Sequence, residues 1–178
     1  MPYALSADVR DLPVLTIFDR SDPPARDLIA KGAMLLEIEG GCGRNRWAAR
    51  LDEAVRLADR PAVLVAHGIG CFAVAWWARL SPASYVAQVA GAVFVRPLAS
   101  AISASPEQRF DGPHTPLPFA ATLIEDAPGA EELAANWGCA LVPPAGAPAI
   151  PALVRMLAGA DTSGAANTQA APVLELRA

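Results

Sequence analysis

Lysine is nearly absent: Lys31 is the sole one among 14 basic residues in a chain of 178. Charged residues make up only 18% of the chain against 53% in the hydrophobic set, and the net charge is −4 with a pI of about 5.1. That balance offers no electrostatic attraction for nucleic acid or an anionic membrane, so neither is expected as a partner. It also excludes a disordered chain for most of the length. Cysteine is scarce and odd in number. Cys42, Cys71 and Cys139 form no CxxC pair and no Cys/His spacing suited to zinc. They read as free thiols of a reducing cytoplasm, and neither a metal nor a cofactor is expected. No basic segment precedes an apolar core at the start, so no signal peptide is read. No apolar run reaches the ~18 residues of a membrane span. The longest, Ala62 to Ala78, is broken by His67-Gly68 and Gly70. Internal repeats are absent. The high share of Ala, Pro, Gly and Arg fits a high-GC bacterial genome.

What is present alternates. Leu12–Phe18, Ala33–Glu39, Ala62–Ala66, Val89–Val95, Phe119–Ile124 and Ala140–Val142 read as six short strands. Gly40-Gly41 closes the second, and the third is continuously apolar, as a central parallel strand is. Between them, Asp22–Lys31, Arg44–Asp59, Ile69–Leu80, Glu131–Trp137 and Pro151–Ala158 read as helices. In the Arg44–Asp59 segment Trp47, Leu51, Ala54, Val55 and Ala58 share one face. Ile69–Leu80 is apolar nearly all round and so is expected to be buried. Strands alternating with helices predict βαβ units and a parallel sheet covered on both faces. One domain is expected over residues 1–158, with 159–178 a flexible C-terminal tail. Within that tail Val173–Leu176 could add a strand or pack on a partner. Arg96–Pro118 reads as a long loop.

The informative segment is Val63-Leu-Val-Ala-His-Gly-Ile-Gly-Cys71, an apolar strand running through a tight turn into a buried helix. This is the layout of a nucleophile elbow, in which G-x-S-x-G sets a serine on a strained strand-to-helix corner. Ala66 and Gly70 supply the small flanking positions. The nucleophile position is Gly68, which has no side chain.

With these residues the chain resembles the small serine hydrolases of the α/β-hydrolase superfamily, a family that includes retinoblastoma-binding protein 9. The resemblance runs from about Leu12 to Pro151. It is carried by Trp47-Ala-Ala-Arg-Leu-Asp-Glu-Ala-Val55, Arg60-Pro-Ala-Val-Leu-Val-Ala-His67, Ala90-Gly-Ala-Val-Phe-Val95, Pro116-Leu-Pro-Phe119 and the stretch around Trp137-Gly138. It implies a single-domain three-layer α/β sandwich of about six mainly parallel strands, in order 2-1-3-4-5-6. It also implies a catalytic set that this chain departs from. The family elbow reads Ala-His-Ser-Leu-Gly, with Gly68 in the serine's place. The family acid lies in a Ser/Arg-Asn-Asp-Pro-like segment, where Ile124-Glu-Asp-Ala-Pro128 makes Asp126 the best match. The family histidine lies in Gly-His-Ile, where Pro148-Ala-Ile150 puts Ala149. The Gly-rich oxyanion turn after the first strand is replaced by Asp19-Arg20-Ser21-Asp22, whose carboxylates would oppose a developing oxyanion.

The other reactive side chains have plainer roles open to them. His67 reads as a structural histidine bonded to backbone or a carboxylate, and His114 as a solvated loop residue; either could instead be a relocated base. Cys71 reads as a core thiol, Trp76-Trp77 as core packing, and Glu125-Asp126 as a solvated strand end. Asp19 and Ser21 read as a solvated loop. The residues expected to line a ligand cleft are Asp19, Arg20, His67, Gly68, Ile69 and Asp126. The expected function is a non-catalytic protein of this fold that binds, regulates or assembles. The alternative is an active esterase-type hydrolase with a rewired site. A small molecule or a protein is the expected partner, a second copy of the chain included.

Overall fold

The structure is a computed structural model that describes residues 13–20, 22–24, 29, 32–38, 43–98, 110 and 115–164. Six strands form one sheet: β1 (Val14–Asp19), β2 (Met34–Ile38), β3 (Ala62–His67), β4 (Val89–Val95), β5 (Ala121–Ile124) and β6 (Ala140–Val142). Their order is β2-β1-β3-β4-β5-β6, and every pair is parallel. The helices are α1 (Arg44–Arg56), α2 (Ile69–Leu80), the one-turn α3 (Ala83–Val86), α4 (Ala130–Trp137) and α5 (Ile150–Gly164). A 3₁₀ turn at Pro144–Gly146 separates β6 from α5.

The sheet is covered on both faces, and the pleat decides which residue faces which layer. Leu15 and Ile17 of β1 join Leu64 and Ala66 of β3 and Phe94 of β4 in one core. That core also holds Trp47 and Leu51 of α1, Phe72 and Trp77 of α2, and Trp137 of α4. The alternate residues Val14, Val63, Val65, Val93 and Val95 point the other way, onto α5. There Ile150, Leu153, Val154 and Leu157 form the apolar stripe of a helix packed on one side. All six residues of β3 are buried, which explains why its sequence shows no alternation.

Helix α2 is pulled tightly onto the sheet. A Cβ built on Gly70 would stand 2.8 Å from the Ile17 carbonyl oxygen, so only glycine fits between α2 and β1. The indole of Trp77 donates to Asp52 Oδ1 at 2.7 Å, tying α2 to α1. Phe110 lies edge-on to both Trp47 and Trp76, with centroids at 6.0 and 6.2 Å. The β4–β5 connection is thereby anchored on α1 and α2 without a helix of its own among the described residues.

Several boundaries differ from the sequence reading: α1 ends at Arg56 rather than Asp59, and β1 and β5 begin two residues later than expected, at Val14 and Ala121. Helix α5 runs on to Gly164, past the expected end at Ala158. Around Asp22, where a helix was expected to begin, the chain makes a turn: the Asp22 N–H donates to the Asp19 carbonyl at 3.0 Å. Asp22, Pro23, Pro24 and Ile29 are not helical, and the rest of that expected helix lies outside the described residues. β3 extends one residue further, to His67.

The contact at Gly70 makes a direct prediction. Gly70→Ala drives a methyl group into a backbone carbonyl, and overpacking of this kind costs about 1–3 kcal/mol. The urea midpoint should fall accordingly, and an unchanged midpoint would show that α2 can lift from β1 without cost.

Candidate functional site

Open parallel sheets take ligands at the carboxyl ends of their strands, where the strand order reverses. Here the reversal lies between β1 and β3. The register pairs Ile17 with Ala66, so Asp19, the last residue of β1, stands level with Gly68.

Gly68 is the corner itself. It caps α2 with φ 52° and ψ −126°, a region that residues with a Cβ avoid. Its N–H donates to the Val95 carbonyl at 3.1 Å, extending the β3–β4 ladder to the last residue before the helix. Its carbonyl accepts from the Cys71 N–H at 3.1 Å, which starts the first turn. The strand-to-helix corner expected from the sequence is therefore present, and the residue at its apex has no side chain.

Asp19 and Glu125 depart from their expected settings. Asp19 is buried at the end of β1 rather than solvated. The next residue, Arg20, directs its N–H to the Ile38 carbonyl at 3.4 Å, so that amide serves the contact with β2. Glu125 is only 2% exposed. Its Oε2 accepts from Leu98 N–H at 2.9 Å, and its Oε1 from Asp126 and Ala127 N–H at 3.1 and 3.2 Å. Three main-chain donors give both of its buried oxygens a partner. Glu125 thus fastens the loop after β4 to the loop after β5. Beside it Arg96 has φ 50°, a positive value that no other non-glycine among the described residues takes, and its N–H donates to the Ile124 carbonyl at 2.9 Å.

Asp126 is exposed and lines a groove of about 500 Å³ with Pro128, Glu131, Leu141 and Pro143. β5 lies two strands from β3, about 10 Å at the usual strand spacing. Ala149 is exposed at the entry to α5, after β6. Gly68, Asp126 and Ala149 therefore follow β3, β5 and β6 on one edge of the sheet. A second groove of about 640 Å³, lined by Ala78, Val86, Val89 and Phe119, opens at the opposite edge.

His67 is buried, and its Nε2 has no hydrogen-bond partner, so the bonded structural histidine expected from the sequence is not what is found. Burial holds its pKa down to about 4, against a smaller upward pull from Asp22. The imidazole is neutral at pH 7. Cys71 is a core thiol, as expected. Its Sγ donates to the Ala66 carbonyl at 3.2 Å, and burial raises its pKa. Cys139 is pushed up to about 12 by burial. Neither thiol is a nucleophile at neutral pH. Trp77 is fully buried and Trp76 half-buried. Ser21, Cys42 and His114 lie outside the described residues. Among the described residues no three His, Cys, Asp or Glu side chains are grouped to hold a metal, and no helix is long and apolar enough to cross a membrane.

A parallel sheet in order 2-1-3-4-5-6, with a glycine-flanked corner from its central strand into a buried helix, defines an α/β-hydrolase-like fold. A model of the serine hydrolase family matches residues 41–150. That is more than half of the chain, which belongs to this family. The fold is similar to a crystal structure described as that of a YdeN-like hydrolase from Pectobacterium atrosepticum. The identity is 15%, the TM-score 0.56, and the match covers 75% of this chain and 77% of that one. No curated protein matches the sequence.

Two predictions follow from the corner and its neighbour. Gly68→Ala or Gly68→Ser places a Cβ at a positive φ and lowers stability by about 1–3 kcal/mol in a denaturant melt; a gain would show the corner is relaxed. His67 titrates below its ordinary 6.5 when folded. Between pH 6.5 and about 4 the unfolded chain takes up a proton there that the folded chain refuses. Stability from this site is complete above that window and falls through it, by on the order of 3 kcal/mol. Urea melts at pH 7, 6 and 5 should show this loss in the parent and less of it in His67→Gln.

Proposed function

We propose that this chain is a non-catalytic member of the serine hydrolase family, related to the retinoblastoma-binding protein 9 group, whose crevice binds a small molecule or a protein partner. The observation that carries the reading is Gly68: the elbow backbone is kept and its apex has nothing to attack with. Other departures support it independently. The position matching the family base is Ala149, a methyl group. In an Asn-Asp-Pro pattern the acid directly precedes the proline, and Ala127 precedes Pro128, so Asp126 stands one residue early. Nucleophile and base act as a unit, so loss of either removes most of the chemistry. Asp19 beside the corner adds a carboxylate where negative charge would have to develop.

The alternative, a hydrolase with a relocated base, asks more of the site. His67 is neutral and so could accept a proton, but by the pleat it belongs to the opposite side of the sheet from α2. No serine or reactive thiol among the described residues stands at the corner to receive its help. The C-terminal edge of the sheet offers recognition chemistry instead, in the exposed Asp126 and Arg96 and the backbone amides opening α2, while Arg20 is held by Glu37 of β2 at 2.7 Å.

A fluorophosphonate probe and p-nitrophenyl acetate test the reading. The parent should neither label nor exceed buffer hydrolysis. Gly68→Ser alone should stay silent, because a serine without its base is a poor nucleophile. Gly68→Ser with Ala149→His should give at most weak turnover, since a lost oxyanion donor costs roughly 3–4 kcal/mol of barrier. Labelling or clear turnover by the parent would replace this reading with the active hydrolase.

A further inference from the structure

Two buried polar atoms lie outside anything the crevice uses. Thr16 Oγ1, in the middle of β1, and His67 Nε2, at the end of β3, are enclosed by protein, and neither has a hydrogen-bond partner. Leaving a buried polar group unpaired is costly, and native interiors seldom tolerate it. Two such atoms together call for an occupant that satisfies both.

The pleat brings them to the same face. Val14 on β1 and Val63 and Val65 on β3 point into the layer beneath α5. Thr16 lies two residues beyond Val14, and His67 two beyond Val65, so their side chains share that face. Leu15, Ile17, Leu64 and Ala66 turn to the opposite core. Thr16 stands opposite Val65 in the register, which makes His67 the next side chain along the adjacent strand. A strand spacing of ~4.8 Å and a two-residue rise of ~6.6 Å put their backbones about 8 Å apart. After the reach of the two side chains, one oxygen with two hydrogen bonds of about 2.9 Å spans such a gap.

We infer that Thr16 and His67 form a buried site for a single hydroxylic oxygen, held between Thr16 Oγ1 and His67 Nε2 under the β1–β3 junction. The chemistry selects a hydroxyl. A neutral imidazole nitrogen either donates or accepts, and so does a threonine hydroxyl, and an occupant that does both fits either tautomer. The valines around the pair carry no charge to balance an ion, and Asp22, which acts on His67, opposes an anion. Water and the hydroxyl end of a small alcohol meet these terms alike. The site lies below the sheet edge and on the side away from α2, and it stands independently of the proposed loss of catalysis.

Nitrogen-15 NMR of His67 in the parent, Thr16→Val and Thr16→Ser tests the inference. Valine replaces the hydroxyl by a methyl at nearly constant volume, and serine keeps the hydroxyl. The Nε2 resonance should move in Thr16→Val and hold its place in Thr16→Ser; an unmoved resonance in Thr16→Val overturns the site. The parent alone gives a second measurement, should the valine variant fail to fold. A nuclear Overhauser effect from water to the His67 ring, kept after unfolding and refolding in plain buffer, identifies water. An effect from non-exchanging protons, lost on refolding, identifies a co-purified alcohol. A His67 ring with no effect from any non-protein proton overturns the inference.

Discussion

The close approach of α2 to the sheet governs the C-terminal edge. The contact is backbone to backbone: Gly70 lies where any side chain would strike the Ile17 carbonyl. To descend from β3 to that distance the chain must turn within one residue, and Gly68 supplies the turn at φ 52°. The Cys71 thiol then donates back to the Ala66 carbonyl across the same corner, and Phe72 and Trp77 fill the layer behind it. None of these interactions involves a nucleophile. The elbow is built by packing that a glycine apex satisfies, so the fold alone cannot speak for activity.

A second tie steadies the rim. Glu125 spends both oxygens on main-chain amides of two loops. The cost of burying its polar carboxyl is offset by donors that would otherwise need partners themselves. Leu98 is held against the end of β5, and Arg96 is kept in its left-handed backbone beside it. The loops after β4 and β5 are thus set by a carboxylate that faces inward, while its neighbour Asp126 faces solvent.

The fold was legible because its signals are local. The six strands were found within two residues or so of their ends, as apolar runs bounded by Gly and Pro. Helices α1, α2 and α4 followed from periodicity and from the apolar character of Ile69–Leu80. The corner was legible too, since Ala66, Gly68 and Gly70 have few other uses at that spacing. What could not be read depends on partners distant in sequence. Glu125 looked like a solvated strand end because its donor, the Leu98 amide, lies across β4 and β5. Asp19 looked like loop because its burial comes from the strands beside it. Asp22-Pro-Pro resembled a helix start, yet the bond from Asp22 to the Asp19 carbonyl closes a turn there instead. The unpaired state of His67 has no sequence signature, since it follows from which face the pleat presents and what covers that face.

These features bear on what this edge of the sheet can do. An acyl-transfer site needs its polar groups converging on one point, with a base and a donor within hydrogen-bond reach of a nucleophile. Here the buried polar groups diverge. Glu125 is consumed by loop amides, the Arg20 amide by β2, and His67 lies with Thr16 on the face beneath α5. At the edge Asp126 and Arg96 are exposed and of opposite sign, and Arg20 is paired with Glu37 of β2 at 2.7 Å. In the proposed reading such groups serve to select a ligand by charge and shape, since exposed charges contribute little to a transition state that needs a dry, preorganised oxyanion site. The same sheet edge that could present a nucleophile can therefore serve recognition, with no change to the packing that holds α2 in place.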